Sequence, residues 1–223
     1  MKRNAIDSFN FGVSIIGISI LIIFILLSIV DLLQFHYAIA KKTSIDISKL
    51  ISKGNALFNS GDNNGAIVYY DKALVINPTD TNTLYNKGLA LENLGNYAEA
   101  ITYFDKSLAI NSTDTNTLYN KGVALENLGN HTGAISSFDK VLAINPKDTN
   151  ALTNKGLALE NLGNYAEAIT YFDKSLAINS TDTNALTNKG LALDKLGNAL
   201  ENLGNHTGAI SSFDKVLAIN LGF

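Results

Sequence analysis

The sequence predicts an all-α fold in which a single transmembrane helix precedes an α-solenoid, a stack of helical hairpins. Three observations lead to this prediction. Residues 11–30 carry no charged side chain, a period of 34 residues begins at Ile47, and each period holds two stretches with apolar residues three or four positions apart. Units of this size cannot bury their own apolar face, so we expect each unit to stack on its neighbours.

The N-terminal apolar run is long enough to cross a bilayer. As an α-helix, residues 11–30 would measure about 30 Å, which is the thickness of the hydrocarbon core. We expect a short tail at 1–10, a signal anchor at 11–30 and a juxtamembrane linker at 31–46. A cleaved signal peptide is the alternative, because the Ala-Ile-Ala sequence at 38–40 resembles a cleavage site. The apolar core of a signal peptide is usually only about 7–15 residues long, which favours a retained anchor.

The charges beside the anchor favour an extracytoplasmic location for the rest of the chain. Lys2 and Arg3 precede the apolar run directly, and Lys41, Lys42 and Lys49 follow it, so the two sides are nearly balanced. A very short basic tail is typical of a single-pass protein whose C-terminal part lies outside the cytoplasm. Asn-x-Thr sequons, the acceptors of N-glycosylation, agree with this location. They begin at Asn111, Asn130, Asn179 and Asn205.

The region 47–223 divides into five units. Their bounds are 47–80, 81–114, 115–148, 149–182 and 183–223. The fifth unit is longer because seven residues are repeated in tandem within 192–205. Either this copy lengthens the first helix of the unit, or the helix ends at Gly197 and a short second helix follows. We favour the lengthened helix, since a glycine inside a helix costs only about 1 kcal/mol.

Each unit is predicted to form helix, turn and helix. In 81–114 the first apolar stripe ends before Gly95, a residue suited to the left-handed conformation that closes many helices. Asn96 and Asp114 stand where side chains commonly cap the start of the next helix. The residues expected on the buried faces are Leu84, Gly88, Leu91 and Leu94 in the first helix, and Ala100, Ile101, Phe104, Leu108 and Ile110 in the second.

These units resemble tetratricopeptide repeats (TPRs). The residues that carry the resemblance are Leu84, Gly88, Leu91, Ala100, Phe104 and Ser107, and in the first unit Gly54, Ala66, Tyr70, Ala73 and Pro78. The resemblance implies a TPR α-solenoid with a right-handed superhelix, in which the first helix of every unit lines the concave wall. Arrays of this family usually end in a polar capping helix, whereas this sequence ends directly after its last second helix. We therefore expect the last unit to fray or to pair with another copy.

The resemblance also implies a peptide-binding site on the concave wall. Places are counted from the first residue of each unit, and the resemblance implies that the second, fifth, sixth, ninth, twelfth and thirteenth places face the ligand. The second and sixth places form an asparagine ladder of Asn82, Asn86, Asn116, Asn120, Asn150, Asn154, Asn184 and Asn188. Tyr85 and Tyr119 occupy the fifth place, and Glu92, Glu126 and Glu160 the twelfth. An amide side chain offers the donors and the acceptor that match a peptide group. In the alternative interpretation, asparagine is simply abundant and the duplication of units produced the ladder without a binding role.

Several function classes are disfavoured by composition. The chain contains no cysteine, which excludes disulfides, thiolate metal sites and cysteine nucleophiles. Its net charge of −3 disfavours nucleic-acid binding. The three histidines lie far apart in sequence and form no triad or metal motif. We therefore predict a non-enzymatic scaffold without cofactors or metals, which binds an extended segment of a partner protein. The alternative is a structural protein that self-associates into homo-oligomers through its uncapped C-terminal unit.

The lysines at the seventh place are expected to form a solvated rim rather than a clamp for a carboxylate, because their long stems can lie along apolar surface. They are Lys87, Lys121, Lys155 and Lys189.

Overall fold

The computed structural model describes the backbone of residues 2–221 and the side chains of residues 25–44 and 46–218. This described part of the chain is all-α, with ten helices and no strand. The helices are α1 (Lys2–Asn59), α2 (Asn63–Ile76), α3 (Thr81–Asn93), α4 (Tyr97–Ile110), α5 (Thr115–Asn127), α6 (His131–Ile144), α7 (Thr149–Asn161), α8 (Tyr165–Ile178), α9 (Thr183–Asn202) and α10 (His206–Leu221).

The chain divides after Leu50 into two compact parts, which are distinct from the repeat units. Residues 2–50 of the first part belong to α1. Its described side chains expose many large apolar groups between Ile25 and Ile39. Across the residues that could be searched, none of the helices combines the length and the apolar character that a membrane crossing requires. Most of the predicted transmembrane segment, 11–30, lies within residues 1–24, outside the described side chains. The predicted linker at 31–46 is part of α1.

Within residues 51–223 the helices begin and end near the predicted signals, but two of the predicted side-chain caps are not formed. The carboxylate of Asp80 accepts a hydrogen bond from the Thr83 backbone N–H at 2.7 Å, which caps α3. Gly95 has φ 75°, so it provides the left-handed residue that ends this helix. Asp114 differs from the prediction, since its carboxylate accepts from the Thr117 hydroxyl and not from a backbone N–H. Asn96 precedes α4 without a side-chain cap.

The two helices of a unit meet where a glycine on the first helix faces an aromatic ring on the second. A Cβ atom at Gly88 would lie 2.4 Å from the ring of Phe104, so only glycine fits there. The same contact recurs in every unit, between Gly54 and Tyr70, Gly122 and Phe138, Gly156 and Phe172, and Gly197 and Phe213. The missing side chain allows the two helix axes to approach closely.

Most of the predicted core residues are buried, and the exceptions lie at helix ends. Leu84, Leu91, Ala100 and Phe104 are at most 3% exposed. Leu94 and Ile110 are exposed instead. Leu94 is the residue that follows α3 and Ile110 is the last residue of α4, so both side chains lie beside turns rather than between helices.

The duplicated segment in the fifth unit lengthens α9 to 20 residues, against 13 in α7, as predicted. Towards α8, this helix keeps the packing of the other units, because Ala192 packs with Leu159, Ala168 and Phe172. Towards α10, the packing is displaced by one copy of the duplicated segment.

This displacement is visible in the glycine contact. Phe213 faces Gly197, whereas nothing lies within 4 Å of a Cβ placed at Gly190, the equivalent of Gly88. The shift of seven residues moves the contact about 10 Å along α9. It leaves Leu191 51% exposed beside an open cavity of about 470 Å³.

The two kinds of glycine should respond oppositely to an added methyl group. We expect Gly88→Ala to lower the free energy of unfolding, because the new Cβ overlaps the buried Phe104 ring and overpacking costs about 1–3 kcal/mol. Gly190→Ala is the matched control at the same place of another unit. Its Cβ meets open space, so better helix propensity should raise stability by up to about 1 kcal/mol. Urea unfolding of both variants measures the difference, and equal effects would contradict the packing argument.

Candidate functional site

The first helices of successive units form the inner layer of residues 51–223. Each of α3, α5 and α7 packs directly against the first helix of the following unit. The second helices α4, α6, α8 and α10 make no such contacts with one another among the described residues. Helices on the inside of a curved stack are closer together than those on the outside. The inner layer is therefore the concave side, which the asparagine ladder was predicted to line.

The second-place asparagines of the ladder are exposed on this layer. Their side chains make no hydrogen bond to any other described residue, so their donors and acceptors are both available. They are Asn82, Asn116, Asn150 and Asn184.

The sixth-place asparagines are instead half-buried, and three of them bind the preceding unit. The Asn120 side-chain amide donates to the Tyr85 hydroxyl at 2.8 Å and to the Asn116 carbonyl at 3.0 Å. Asn154 donates in the same way to the Tyr119 hydroxyl and to the Asn150 carbonyl, both at 2.9 Å. Because both amide hydrogens are used, these two side chains offer a ligand only their carbonyl oxygen.

The first and last sixth-place asparagines, Asn86 and Asn188, have different partners from Asn120 and Asn154. Asn86 donates to the Asn55 side chain at 3.2 Å, because the first unit has no tyrosine at the fifth place. Asn188 makes no such bond within the described residues, since Thr153 stands where a tyrosine would reach it. Among the described residues, the sixth-place asparagine therefore binds the preceding unit in the second, third and fourth units, and makes no such bond in the fifth.

Tyr85 and Tyr119 are part of this support. Their rings pack on Phe104 and Phe138, with centroids 6.1 and 5.8 Å apart. Burial raises the pKa of both phenols. Each tyrosine therefore connects the aromatic core of its own unit to the asparagine of the next one, while one side remains half-exposed on the inner layer.

The seventh-place lysines do not form a solvated rim. The Lys87 ammonium lies 2.5 Å from the Asp71 carboxylate of the preceding unit and 4.1 Å from the Tyr103 ring centre, and the residue is 4% exposed. Burial opposes its charge, but the hydrogen bonds to Asp71 and Tyr103 keep the pKa of Lys87 above its usual value. Equivalent ion pairs join Lys121 to Asp105, Lys155 to Asp139 and Lys189 to Asp173.

These ion pairs were missed by sequence reasoning, although a signal was present. In every case an aspartate stands 16 residues before the lysine, as in Asp71 and Lys87. A recurring pair of opposite charges at the same two places of neighbouring units indicates a contact between those units.

The twelfth-place carboxylates are three different groups rather than one acidic edge. Glu160 is 4% exposed and its Oε1 lies 2.8 Å from the Lys195 ammonium. Glu126 Oε1 lies 2.8 Å from His131 Nδ1 and accepts from the Asn161 amide at 2.6 Å. The second oxygen of each carboxylate is buried without a partner among the described residues.

Among the described residues, Glu92 has no cation paired with its carboxylate. Burial raises the pKa of its carboxyl group to about 7. This side chain therefore changes charge near neutral pH.

The raised pKa of Glu92 predicts a loss of stability with rising pH. The group binds its proton more tightly in the folded chain, with a pKa of about 7 against 4.5 without burial. Its favourable contribution is therefore complete below pH 4.5 and is lost as the pH rises through 7. We expect Glu92→Gln to remove this loss, so that its melting temperature falls less between pH 5 and 8 than that of the wild type. The control is Glu99→Gln, which alters an exposed carboxylate on α4. Parallel melting curves for Glu92→Gln and the wild type would contradict the expectation.

Comparison with protein families identifies the helical units. Models described as tetratricopeptide repeat or TPR repeat match residues 54–95, 81–114, 119–183 and 191–222, which together make up more than half of the chain. Comparison with curated proteins gives no match.

Solved structures share the fold. A crystal structure of the protein MamA is 25% identical, with a TM-score of 0.67, and covers 78% of this chain and 91% of that chain. A structure of MamA from Desulfovibrio magneticus RS-1 is 23% identical, with a TM-score of 0.64, and covers 79% of this chain and 96% of that chain. A tetratricopeptide repeat protein from Parabacteroides merdae ATCC 43184 is 23% identical, with a TM-score of 0.66, and covers 78% of this chain and 66% of that chain.

The period of 34 residues, the glycine-on-aromatic contact within each helix pair and the matched repeats agree with one another. The chain belongs to the tetratricopeptide repeat family.

Proposed function

We propose that this protein is a membrane-anchored, non-catalytic scaffold that captures an extended segment of a partner protein along its inner layer. The observation that carries this proposal is the row of exposed second-place asparagines, Asn82, Asn116, Asn150 and Asn184, whose side chains have no partner among the described residues. Exposed, unbonded amides repeated on a concave surface suit the backbone of another chain.

The spacing of the row fits an extended peptide. Packed helices lie roughly 8–10 Å apart, and an extended chain rises about 3.3 Å per residue. One asparagine is therefore available for about every third residue of the ligand. The contacts are made to the peptide backbone rather than to its side chains, so the binding would tolerate different sequences.

In this proposal, the second-place and the sixth-place asparagines form different hydrogen bonds with the peptide. The second-place amides can donate to a peptide carbonyl and accept from a peptide N–H. Asn120 and Asn154 have committed their amide hydrogens to the preceding unit, so they accept only. A peptide N–H near those two residues is the complementary group. The half-exposed rings of Tyr85 and Tyr119 provide apolar contact area in the first part of the layer.

The proposed anchor is residues 11–30. Their length and lack of charge support this role, and so do the exposed apolar side chains that continue through Ile29 and Val30 at the start of the described part of α1. Such a surface is unusual on a helix surrounded by water. We propose that the repeat region faces the extracytoplasmic side, on the basis of Lys2 and Arg3 before the apolar run.

A second candidate function is self-association, and a specific observation favours it. Ile210 and Leu217 on α10 are 61% and 57% exposed. The equivalent residues of α4, Ile101 and Leu108, pack against the core of the following unit. The last second helix therefore presents the apolar face that every earlier one buries.

The asparagine row predicts a loss of peptide capture without a loss of folding. We expect the triple variant Asn82→Ala, Asn116→Ala and Asn150→Ala to bind at least tenfold more weakly to extended peptides that the wild type selects from an unstructured peptide library. Its melting temperature should stay close to that of the wild type, because these side chains make no hydrogen bonds to other described residues. Fluorescence anisotropy with labelled peptides measures the affinity.

The control for this experiment is a variant with Asn96→Ala and Asn164→Ala, two turn asparagines whose side chains cap nothing. Equal binding by the triple variant and the wild type would remove the row from the site.

The proposed anchor and its orientation predict the result of protease digestion. With a C-terminal tag, we expect the tagged repeat region to be digested in intact cells and to pellet with membranes before digestion. A variant with Ile20→Arg and Phe24→Arg should leave the membrane fraction, since two charges near the bilayer centre oppose insertion. Protection of the tag until cells are lysed would reverse the orientation, and a soluble wild-type chain would refute the anchor.

A further inference from the structure

Neighbouring units are joined by one repeated contact. A lysine at the seventh place of each first helix from α3 to α9 pairs with an aspartate on the second helix before it, at 2.5 to 2.7 Å. Beside this ion pair, a small residue of the first helix is completely buried against the same second helix. That residue is Ala90, Ala124, Ala158 or Ala192.

The first helix of the repeat region, α1, carries the lysine and the small residue of this contact but not its aspartate partner. Lys53 of α1 is the equivalent of Lys87, and its ammonium lies 4.8 Å from the Tyr69 ring centre, as Lys87 lies over Tyr103. No carboxylate is paired with Lys53 among the described residues. Ala56, the equivalent of Ala90, is exposed.

The last described helix, α10, carries the aspartate and the apolar residues of this contact. Asp214 of α10 is the equivalent of Asp71 and forms no ion pair with any described residue. Ile210 and Leu217, which would lie on either side of an incoming first helix, are exposed. Among the described residues, one end of the repeat region therefore presents a cation without a carboxylate partner beside a small residue, and the other end presents a carboxylate without a cation beside an apolar stripe.

We infer that copies of this protein associate head to tail, with α1 of one copy on α10 of another and Lys53 paired with Asp214. The occupant of the exposed α10 face is then a second copy. The charges are complementary, and the contact repeats one that the chain already forms four times within itself. This inference rests on the second candidate function and specifies the surfaces that it uses.

The predicted assembly is open rather than a closed dimer. The two surfaces differ, so the contact is heterologous, and each added copy presents a new free end.

Two charge reversals test the contact. Sedimentation velocity of the full chain in a non-ionic detergent should show wild-type species that grow with concentration beyond a dimer. Lys53→Asp places two carboxylates together, and Asp214→Lys places two ammonium groups together. We expect either variant alone to associate at least tenfold more weakly, because facing like charges oppose the contact.

Mixing the two variants is the decisive measurement. In an equimolar mixture, Asp at 53 of one variant meets Lys at 214 of the other, and the remaining ends form the wild-type pair. Large species should therefore reappear in the mixture, and also in the double variant that carries both changes. Matched controls are Lys72→Asp, which removes another cation from the Tyr69 ring, and Glu201→Lys, which reverses an exposed charge on α9. Both controls should associate as the wild type does.

The possible outcomes distinguish self-association as a function from the specific contact between Lys53 and Asp214. A wild-type chain that stays a monomer at every concentration overturns self-association as a function, and the contact with it. Wild-type oligomers that persist unchanged in both single variants, or a mixture that fails to associate, overturn this contact alone. Circular dichroism and melting of each variant confirm that it is folded before it is compared.

Discussion

The contact between a glycine on the first helix of each unit and an aromatic ring on the second is the constraint on which the rest of the structure depends. Adding a single Cβ at Gly88 would bring it within 2.4 Å of Phe104. The absence of that atom fixes how closely the two helices approach and which residues of the first helix remain on the opposite side. The exposed asparagines of the inner layer lie on that opposite side, so their position follows from the packing of the core.

Polar contacts then fix how one unit sits on the next. The lysine and aspartate pairs and the bonds from Asn120 to Tyr85 and from Asn154 to Tyr119 all connect residues of different units. Exposed ion pairs are worth little individually, whereas a half-buried pair loses much more when one partner is removed. Such contacts are well suited to select one register between units whose sequences are nearly identical. Among the described residues, Lys53 and Asp214, the outermost members of this series, make no such ion pair.

Much of the candidate site could be predicted from the sequence, but its hydrogen-bonding state could not. The resemblance to tetratricopeptide repeats was enough to place Asn82 and Asn86 on the same side of a first helix. The partner of Asn86 is Asn55, and that of Asn120 is Tyr85, about one unit earlier in each case. Local spacing carries no information about such partners. The lysines were expected at a solvated rim because their aspartate partners belong to the preceding unit. The ion pair of Glu160 was missed because its partner, Lys195, belongs to the following unit.

The sequence by itself determined the repeat, the helix pairs and the lengthening of α9, because each depends on residues close together in the chain. Only the tertiary structure decided how the duplicated segment is used. Gly190 and Gly197 lie seven residues apart, nearly two helical turns, so they face the same side of α9 and either could have received the ring of Phe213. The turn that follows α9 comes after the second copy, so α10 packs on Gly197 while α8 still packs in the register of the first copy. Helix α9 thus packs against α8 in one register and against α10 in a register shifted by seven residues. This difference depends on the packing of α9 against both helices, which the local sequence does not specify.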